Sequence, residues 1–442
     1  MKAAGAPTAG QEPPPGWRRR VGAATRNLRA DRLLQNNAIY LSAGVAVGLV
    51  GYVFHFATGR LLGPTAYAVV ASMVSALSLL SLPSIVLQTI AARYASLLLA
   101  SEDLGALRRL LIQLSLVCLV GVALLGGSLV VLAPAVAAYL QVADTRIVYL
   151  LGLASAGAIL VAITRGALQG LTRFLLLSLN TLLDMTTRLV VAVGLIVAGF
   201  GVLGAAIAIA AGPLLAYAQS TVLLRRLTRP KAVGAMPLSE VGRYSISAII
   251  AAAGITYLLN VDVLLAKHFL PGHDSGLYAA GAILGRVIYF LGMTVAAVML
   301  PEVTLLHARG EAHFQVVEKS LTLLAIMGIG LIGLYTLLPA VVVGPFGHAF
   351  AAVGANLPIF ALAFSLFAIA ILFVNYFLSI NSRRFIGPLV AACVLETALI
   401  AKVHADSGQV VRMVLVTMTV LSGLLGGLYL LDRLAARRPA LP

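Results

Sequence analysis

Charged residues are scarce in this chain of 442 amino acids: 10% are Asp, Glu, Lys or Arg, whereas 61% are hydrophobic. Soluble domains carry about 25% charged and 45–50% apolar residues, and no water-soluble core needs this much apolar surface. Cysteine is limited to Cys118 and Cys393, both inside apolar runs, which excludes a disulfide framework and a thiolate metal site. The sequence also has no Walker-type phosphate loop and no cluster of His or Cys at metal-ligand spacing. We therefore predict an integral membrane protein that is not an enzyme and that uses no cofactor or metal.

About twelve apolar segments of spanning length follow one another along the chain, at roughly 20 residues per helix. Their centres lie near Val47, Leu79, Val120, Ala158, Val191, Ile209, Gly254, Phe290, Ile329, Ile369, Val394 and Leu421. The longest loop, 225–242, is basic, contains two prolines and divides the segments into two sets of six. We predict an all-α membrane protein with a disordered basic tail (1–31), an N-lobe (32–224), a linker (225–242), a C-lobe (243–434) and a second tail (435–442).

The 31 Lys and Arg residues exceed the 15 Asp and Glu residues and give a net charge of +16. With the N-terminus inside, 23 of these cations fall on the cytoplasmic side, and three more, Arg165, Arg188 and Arg286, fall within segments. The opposite side keeps only Arg60, Arg146, Lys267, Lys402 and Arg412. This distribution follows the positive-inside rule, so we predict that both termini face the cytoplasm and that the charge serves topology rather than nucleic-acid binding.

The two sets of six segments resemble each other. The second segment opens with GPTAYAVVA (63–71), and the eighth opens with SGLYAAGA (275–282). Each follows an apolar segment that ends in an outward basic residue, Arg60 or Lys267. An even number of helices per repeat makes the two repeats parallel, related by an axis along the membrane normal. Two lobes of six helices around a central cavity are typical of a transporter.

Three stretches also carry a resemblance to a known family. They read GRLLGPTAY (59–67), GALQGLTRF (166–174), and NVDVLL (260–265) followed by GLYA (276–279). Over nearly its whole length the chain resembles the multidrug/oligosaccharidyl-lipid/polysaccharide exporters, and within them the Wzx-like polysaccharide-biosynthesis flippases. The resemblance implies alternating-access export of an undecaprenyl-pyrophosphate-linked oligosaccharide across the bacterial inner membrane, for cell-surface polysaccharide synthesis. A polysaccharide polymerase and glycosyltransferases would be its neighbours. The lipid II flippases of this superfamily carry two further helices, so lipid II is not the expected substrate.

Arg286 is the leading candidate for substrate binding. It lies about 15 Å below the predicted outer surface, counted from Gly276 at the helical rise. A cation near the bilayer centre costs about 2.5–3.5 kcal/mol, so Arg286 should face a cavity or a partner. Its guanidinium suits the pyrophosphate of a lipid-linked sugar, although a purely structural ion pair with Asp262 is the alternative. The further cavity candidates are Arg60, Asn260, Tyr278 and Tyr289.

Buried carboxylates are the candidates for coupling transport to an ion. Asp262 is either a titrating group or a permanent counter-ion to Arg286 or Lys267. Glu396, in the eleventh segment, has no obvious local partner and is a further coupling candidate.

A second set of charges lies in the fourth and fifth segments. Asp184 and Arg188 are four residues apart, which places them on one helix face and predicts an ion pair. Arg165 lies near the cytoplasmic end of its segment, where it is predicted to snorkel to the surface.

These features leave two transport functions open. The first is the lipid-linked oligosaccharide flippase, with lipid as its surroundings and the sugar carrier as its partner. The alternative is a cation-coupled multidrug or small-molecule antiporter of the same architecture, which Asp184 and Asp262 keep open and which predicts a cavity dominated by carboxylates. A membrane polymerase or ligase would need a sizeable outer loop, and no outer loop in the sequence is long enough.

Overall fold

The computed structural model describes residues 17–100, 104–227 and 246–437, and these residues form helices and connections without any strand. The α-helices are α1 (Trp17–Leu80), α2 (Leu82–Ala100), α3 (Leu104–Tyr139), α4 (Arg146–Gly170), α5 (Phe174–Leu195), α6 (Gly201–Leu227), α7 (Ile246–Phe269), α8 (Gly272–Ala308), α9 (Phe314–Leu337), α10 (Pro339–Val343), α11 (Leu357–Ser379), α12 (Ile386–Lys402) and α13 (Ser407–Arg437). Every predicted apolar segment lies within one of these helices, which confirms the predicted all-α membrane fold.

Ten stretches of the described chain are long and apolar enough to cross a membrane. Two of them, Ser42–Leu80 and Phe174–Leu227, each hold two of the predicted segments. The first is broken at Gly63, whose φ of 73° is available to glycine without the steric cost that a side chain would add. In the second, Gly199 at φ 92° and Gly201 at φ 53° turn the chain between α5 and α6. In both stretches, glycines therefore reverse the direction of the chain although the sequence stays apolar from one predicted segment to the next.

The predicted tails and linker fall partly outside the described residues, which leave out 1–16, 228–245 and 438–442. Within the described residues α1 begins at Trp17, inside the stretch 1–31 that the sequence predicts to be a disordered tail, and the disorder of that tail stays a prediction. The residues that follow the proline run are rich in Ala and Arg, both strong helix formers. Extending an existing helix costs far less than nucleating one, so the transmembrane helix continues into this basic stretch.

The two lobes pack their helices in the same pattern. In the N-lobe (α1–α6), α4 contacts α2, α3 and α6, and α1 contacts α5. In the C-lobe (α7–α13), α11 contacts α8, α9 and α13, and α7 contacts α12. This correspondence is the one that two parallel repeats of six transmembrane helices produce, as the sequence predicts.

The C-lobe core is centred on α11. Its rings Phe360, Phe364 and Phe367 are almost completely buried. Two glycines of α8, Gly281 and Gly285, face Phe360 and Phe364 so closely that a Cβ at either glycine would overlap a ring. The small residues thus bring α8 against α11 and hold α8, which carries Arg286, in a fixed position.

Candidate functional site

The hairpin of α7 and α8 builds a buried polar cluster inside the C-lobe. Arg286 Nη2 lies 3.2 Å from Asp262 Oδ1, and the hydroxyl of Tyr278 donates to Asp262 Oδ2 at 2.9 Å. Asp262 is 0% and Arg286 6% exposed. The two charges are therefore an ion pair in this structure, while the Nε of Arg286 is buried and has no hydrogen-bond partner in the described part of the chain.

Glu396 adds a second carboxyl group to this cluster from α12, which packs beside α7. It is 0% exposed, and neither of its carboxyl oxygens has a hydrogen-bond partner among the residues described. It interacts electrostatically with Asp262 and Arg286. The sequence shows no partner for Glu396 because its neighbours come from other helices, more than a hundred residues away. The C-lobe cluster thus sets two carboxyl groups against one guanidinium.

The other predicted cavity residues do not gather around Arg286. Asn260 donates to the backbone oxygen of Thr256 in its own helix at 2.9 Å. Tyr289 interacts electrostatically with Arg286, but its ring stacks on Phe367 with centroids 5.6 Å apart. Arg60 is exposed at the end of the bundle, beside the loop that follows α10. Lys267, the alternative counter-ion of Asp262, forms no ion pair among the described residues.

Helix α1 of the N-lobe faces the C-lobe cluster. His55, Tyr67 and Tyr52 each interact electrostatically with Arg286. His55 Nδ1 and the Tyr67 hydroxyl lie 3.0 Å apart in a buried hydrogen bond. None of the three is predicted from the sequence to belong to the site, because the break at Gly63 brings together positions that sequence spacing separates. Arg286 is therefore within electrostatic reach of both lobes.

A second polar cluster lies inside the N-lobe. Asp184 Oδ1 accepts from Arg188 Nε at 2.8 Å, which confirms the predicted pair, and its Oδ2 accepts from Arg165 Nη2 at 2.9 Å. The prediction that Arg165 snorkels to the surface is wrong, since its Nε also donates to Asn180 Oδ1 at 2.9 Å. Asn180 and Asp184 are one turn apart on α5 and present acceptors toward α4. The N-lobe cluster sets two guanidiniums against one carboxylate, the reverse of the C-lobe.

The lobes meet at one end of the bundle, called here the closed end, which carries Gly63 and the outward residues of the sequence prediction. Four rings form an aromatic seal: Phe56, Tyr67, Phe346 and Phe350. The ring of Tyr67 lies 5.5 Å from Phe346 and 5.7 Å from Phe350, and Phe56 lies 5.0 Å from Phe346. Phe346 and Phe350 come from the two short 3-10 turns between α10 and α11, Gly344–Phe346 and His348–Asn356. The C-lobe thereby closes over the bend in α1.

A second contact at the closed end is a histidine seal made of Tyr139, Gln141 and His268. The rings of Tyr139 and His268 stack with centroids 4.0 Å apart, and His268 Nδ1 donates to the backbone oxygen of Tyr139 at 2.8 Å. Gln141 Nε2 donates to the backbone oxygen of His268 at 2.7 Å. In a third contact between the lobes at this end, Gly276 lies so close to Pro64 that a Cβ would overlap the proline's backbone oxygen. At the closed end, the N-lobe loop after α3 thus contacts the C-lobe, and the C-lobe turns between α10 and α11 contact the N-lobe.

The opposite end, called here the basic end, carries the arginine-rich loops. The hydrogen bonds and ring contacts between lobes that the structure describes involve residues from Tyr52 outward to the closed end. These side-chain contacts join the lobes at the closed end, and α2 of the N-lobe also packs against α7 of the C-lobe.

No model of a protein family and no curated protein matches this sequence. Solved structures do match. An inward-facing conformation of a multidrug resistance MATE family transporter of the MOP superfamily has a TM-score of 0.72 at 12% identity, covering 88% of this chain and 96% of that chain. An outward-facing conformation of such a transporter has a TM-score of 0.55 at 14% identity, covering 91% and 97%. A MOP superfamily transporter from Pyrococcus furiosus, described as having a binding pocket of reverse polarity, has a TM-score of 0.56 at 14% identity, covering 90% and 95%. This chain has the two-lobed, multi-pass membrane fold of the MATE transporters of the MOP superfamily.

Proposed function

We propose that the protein is an alternating-access exporter that exchanges a small organic molecule for a proton or another monovalent cation. The observation that carries this proposal is the charge imbalance of the C-lobe cluster, in which Arg286 neutralises only one of the carboxyl groups of Asp262 and Glu396. A buried charge without a partner is strongly unfavourable, so the second carboxyl group needs a proton or a cation. Opening the cluster to water on the other side would remove that need and release the ion. The cluster can thus link ion movement to the change of access.

The direction of export follows from the two ends of the bundle. The basic end is the one that the positive-inside rule assigns to the cytoplasm, with both termini on that side of a bacterial inner membrane. In this orientation the seals close the outer side, which supports an inward-facing state. The higher TM-score with the inward-facing MATE transporter than with the outward-facing one supports this orientation.

Two observations bear on the substrate class: the similarity of fold to the MATE transporters and the charge of the polar clusters. The MATE structures similar to this chain include ones described as multidrug resistance transporters, which favours small organic molecules over a lipid-linked oligosaccharide. One observation keeps the flippase as a second candidate. The N-lobe cluster carries a net positive charge, with Arg165 and Arg188 around Asp184, and its arginine side chains are 16% and 12% exposed. Such a cluster could hold the pyrophosphate of a lipid-linked sugar, the partner that the resemblance to Wzx-like flippases implies.

Transport by protein reconstituted in liposomes tests the proposal. We expect a proton gradient or a sodium gradient across the liposome membrane to drive a cationic fluorescent dye in the opposite direction. Comparing the two gradients identifies the coupling ion. The Glu396→Gln variant should lose this coupling, because the amide is neutral without a proton. Glu302→Gln is the matched control, since Glu302 is exposed on α8 and should change nothing.

Two results would contradict the proposal, the first by excluding its coupling site and the second by excluding its substrate class. Coupled dye transport that persists in Glu396→Gln would remove the role of the C-lobe cluster. Absence of dye transport together with flipping of a fluorescent lipid-linked oligosaccharide, lost in Arg165→Gln, would establish the flippase instead.

A further inference from the structure

A groove of about 390 Å³ lies in the N-lobe between α3, α4 and α6. None of its lining residues comes from α7, α8 or α12, which carry the C-lobe cluster, or from α1, which faces that cluster. The α3 residues Ile112, Leu116 and Leu119 that form one wall are 50%, 58% and 51% exposed. Large apolar side chains this exposed in a membrane protein face lipid. The groove therefore opens to the bilayer and is separate from the polar clusters of the transport site.

The groove combines a cationic mouth with an apolar body. Arg108 is the fifth residue of α3, and Arg225 is the third from last of α6, so both guanidiniums belong to the basic end. From Arg108 to Leu119 the wall extends for about 16 Å at the helical rise, which is enough for much of an acyl chain. The hydroxyl of Thr221, also in the lining, is buried and has no hydrogen-bond partner in the described chain. Two arginines above an apolar channel match a phosphate joined to hydrocarbon.

The equivalent place in the C-lobe shows why the N-lobe needs an added anion. There, between α9 and α13, Glu318 Oε1 lies 2.6 Å from Arg433 Nη2. Glu318 is the fifth residue of α9, as Arg108 is of α3. Buried positions set the shared register, Leu107 with Val317 and Leu114 with Leu324. The C-lobe thus bridges this gap with its own ion pair, whereas the N-lobe lines it with two like charges that repel each other unless an anion lies between them.

We propose that this groove binds an anionic phospholipid from the leaflet at the basic end. The phosphate lies between Arg108 and Arg225, and one acyl chain follows the exposed face of α3. The site is independent of the proposed antiport, since it shares no residue with either polar cluster.

Lipid retention by the purified protein tests the site. Protein in mixed micelles is offered phosphatidylglycerol or phosphatidylcholine with identical acyl chains, and bound lipid is counted by native mass spectrometry. We expect preferential retention of phosphatidylglycerol, weakened about fivefold by Arg108→Gln or by Arg225→Gln, from about 1 kcal/mol per basic residue near a membrane surface. Arg226→Gln is the control, because the neighbouring Arg226 is exposed and does not line the groove.

Arg108→Glu gives the sharpest variant, because it copies the charge pattern of the C-lobe. It should abolish the preference for phosphatidylglycerol while leaving the melting temperature and monodispersity of the protein unchanged. Equal retention of both lipids by the wild type, or unchanged retention by Arg108→Glu, would overturn the proposal. So would an equal loss in Arg226→Gln, which would indicate general surface charge. Competition by glycerol phosphate as strong as that by the whole lipid would assign the site to free phosphate and overturn the lipid assignment.

Discussion

Gly276→Ala should destabilise the arrangement in which the two lobes touch at the closed end. The added Cβ would overlap the backbone oxygen of Pro64 in the opposite lobe, and a backbone atom cannot rotate away as a flexible side chain can. Forcing an extra carbon into a packed contact costs about 1–3 kcal/mol. That cost applies to the closed arrangement alone, so the ratio of closed to open molecules should fall by roughly 5- to 140-fold, at tenfold per 1.4 kcal/mol. The variant should therefore shift the protein toward the outward-open state.

Spin labels on the two lobes measure this shift. Ala143 and His273 are both exposed at the closed end, one in the N-lobe and one in the C-lobe. With Cys118 and Cys393 replaced by Ser and cysteines introduced at the two labelling positions, double electron–electron resonance reports the distance between the labels. We expect a short distance to dominate in the wild type and a longer one to appear in Gly276→Ala.

Gly51→Ala is the matched control, because a Cβ at Gly51 would meet nothing within 4 Å. It should keep the wild-type distance distribution. An unchanged distribution in Gly276→Ala would refute the reasoning, since it would mean that the lobes accommodate the methyl group without separating.

Three further variants test the polar clusters and the aromatic seal. Asp184→Ala leaves two part-buried arginines without their carboxylate and should lower the free energy of unfolding by up to about 3–5 kcal/mol in a denaturant titration. Adding Arg188→Met should recover part of the loss, and no recovery would contradict the charge argument. Tyr278→Phe removes the hydrogen bond to Asp262 and should cost about 1.5–3 kcal/mol in the same titration, whereas an unchanged midpoint would show that the bond adds nothing. Phe346→Ala removes a buried ring shared by both lobes, at about 3–5 kcal/mol, and should add the longer spin-label distance; a purely closed distribution would exclude a role in sealing.

The helices could be predicted from the sequence because a membrane-spanning segment has to be apolar for about 20 residues. The pairing of Asp184 with Arg188 could be predicted as well, since it depends only on a spacing of four within one helix. The surroundings of Arg165 and Glu396 could not, because their neighbours come from other helices whose packing no local pattern specifies. The turns that carry Phe346 and Phe350 lie between two predicted segments, where Gly344 and Pro345 indicate a turn, but their packing against Tyr67 of the other lobe could not be predicted from a local pattern.

The two seals at the closed end differ in chemistry, and this difference has a thermal consequence. The aromatic seal is held by apolar contact, whose strength near room temperature is entropic and weakens on cooling. The histidine seal depends on the hydrogen bonds of Gln141 and His268, which do not share that dependence. As the temperature falls, the contact around Tyr67 should loosen before the contact around His268. The closed end would then open first at the aromatic seal, while the stacked rings of Tyr139 and His268 stay in contact.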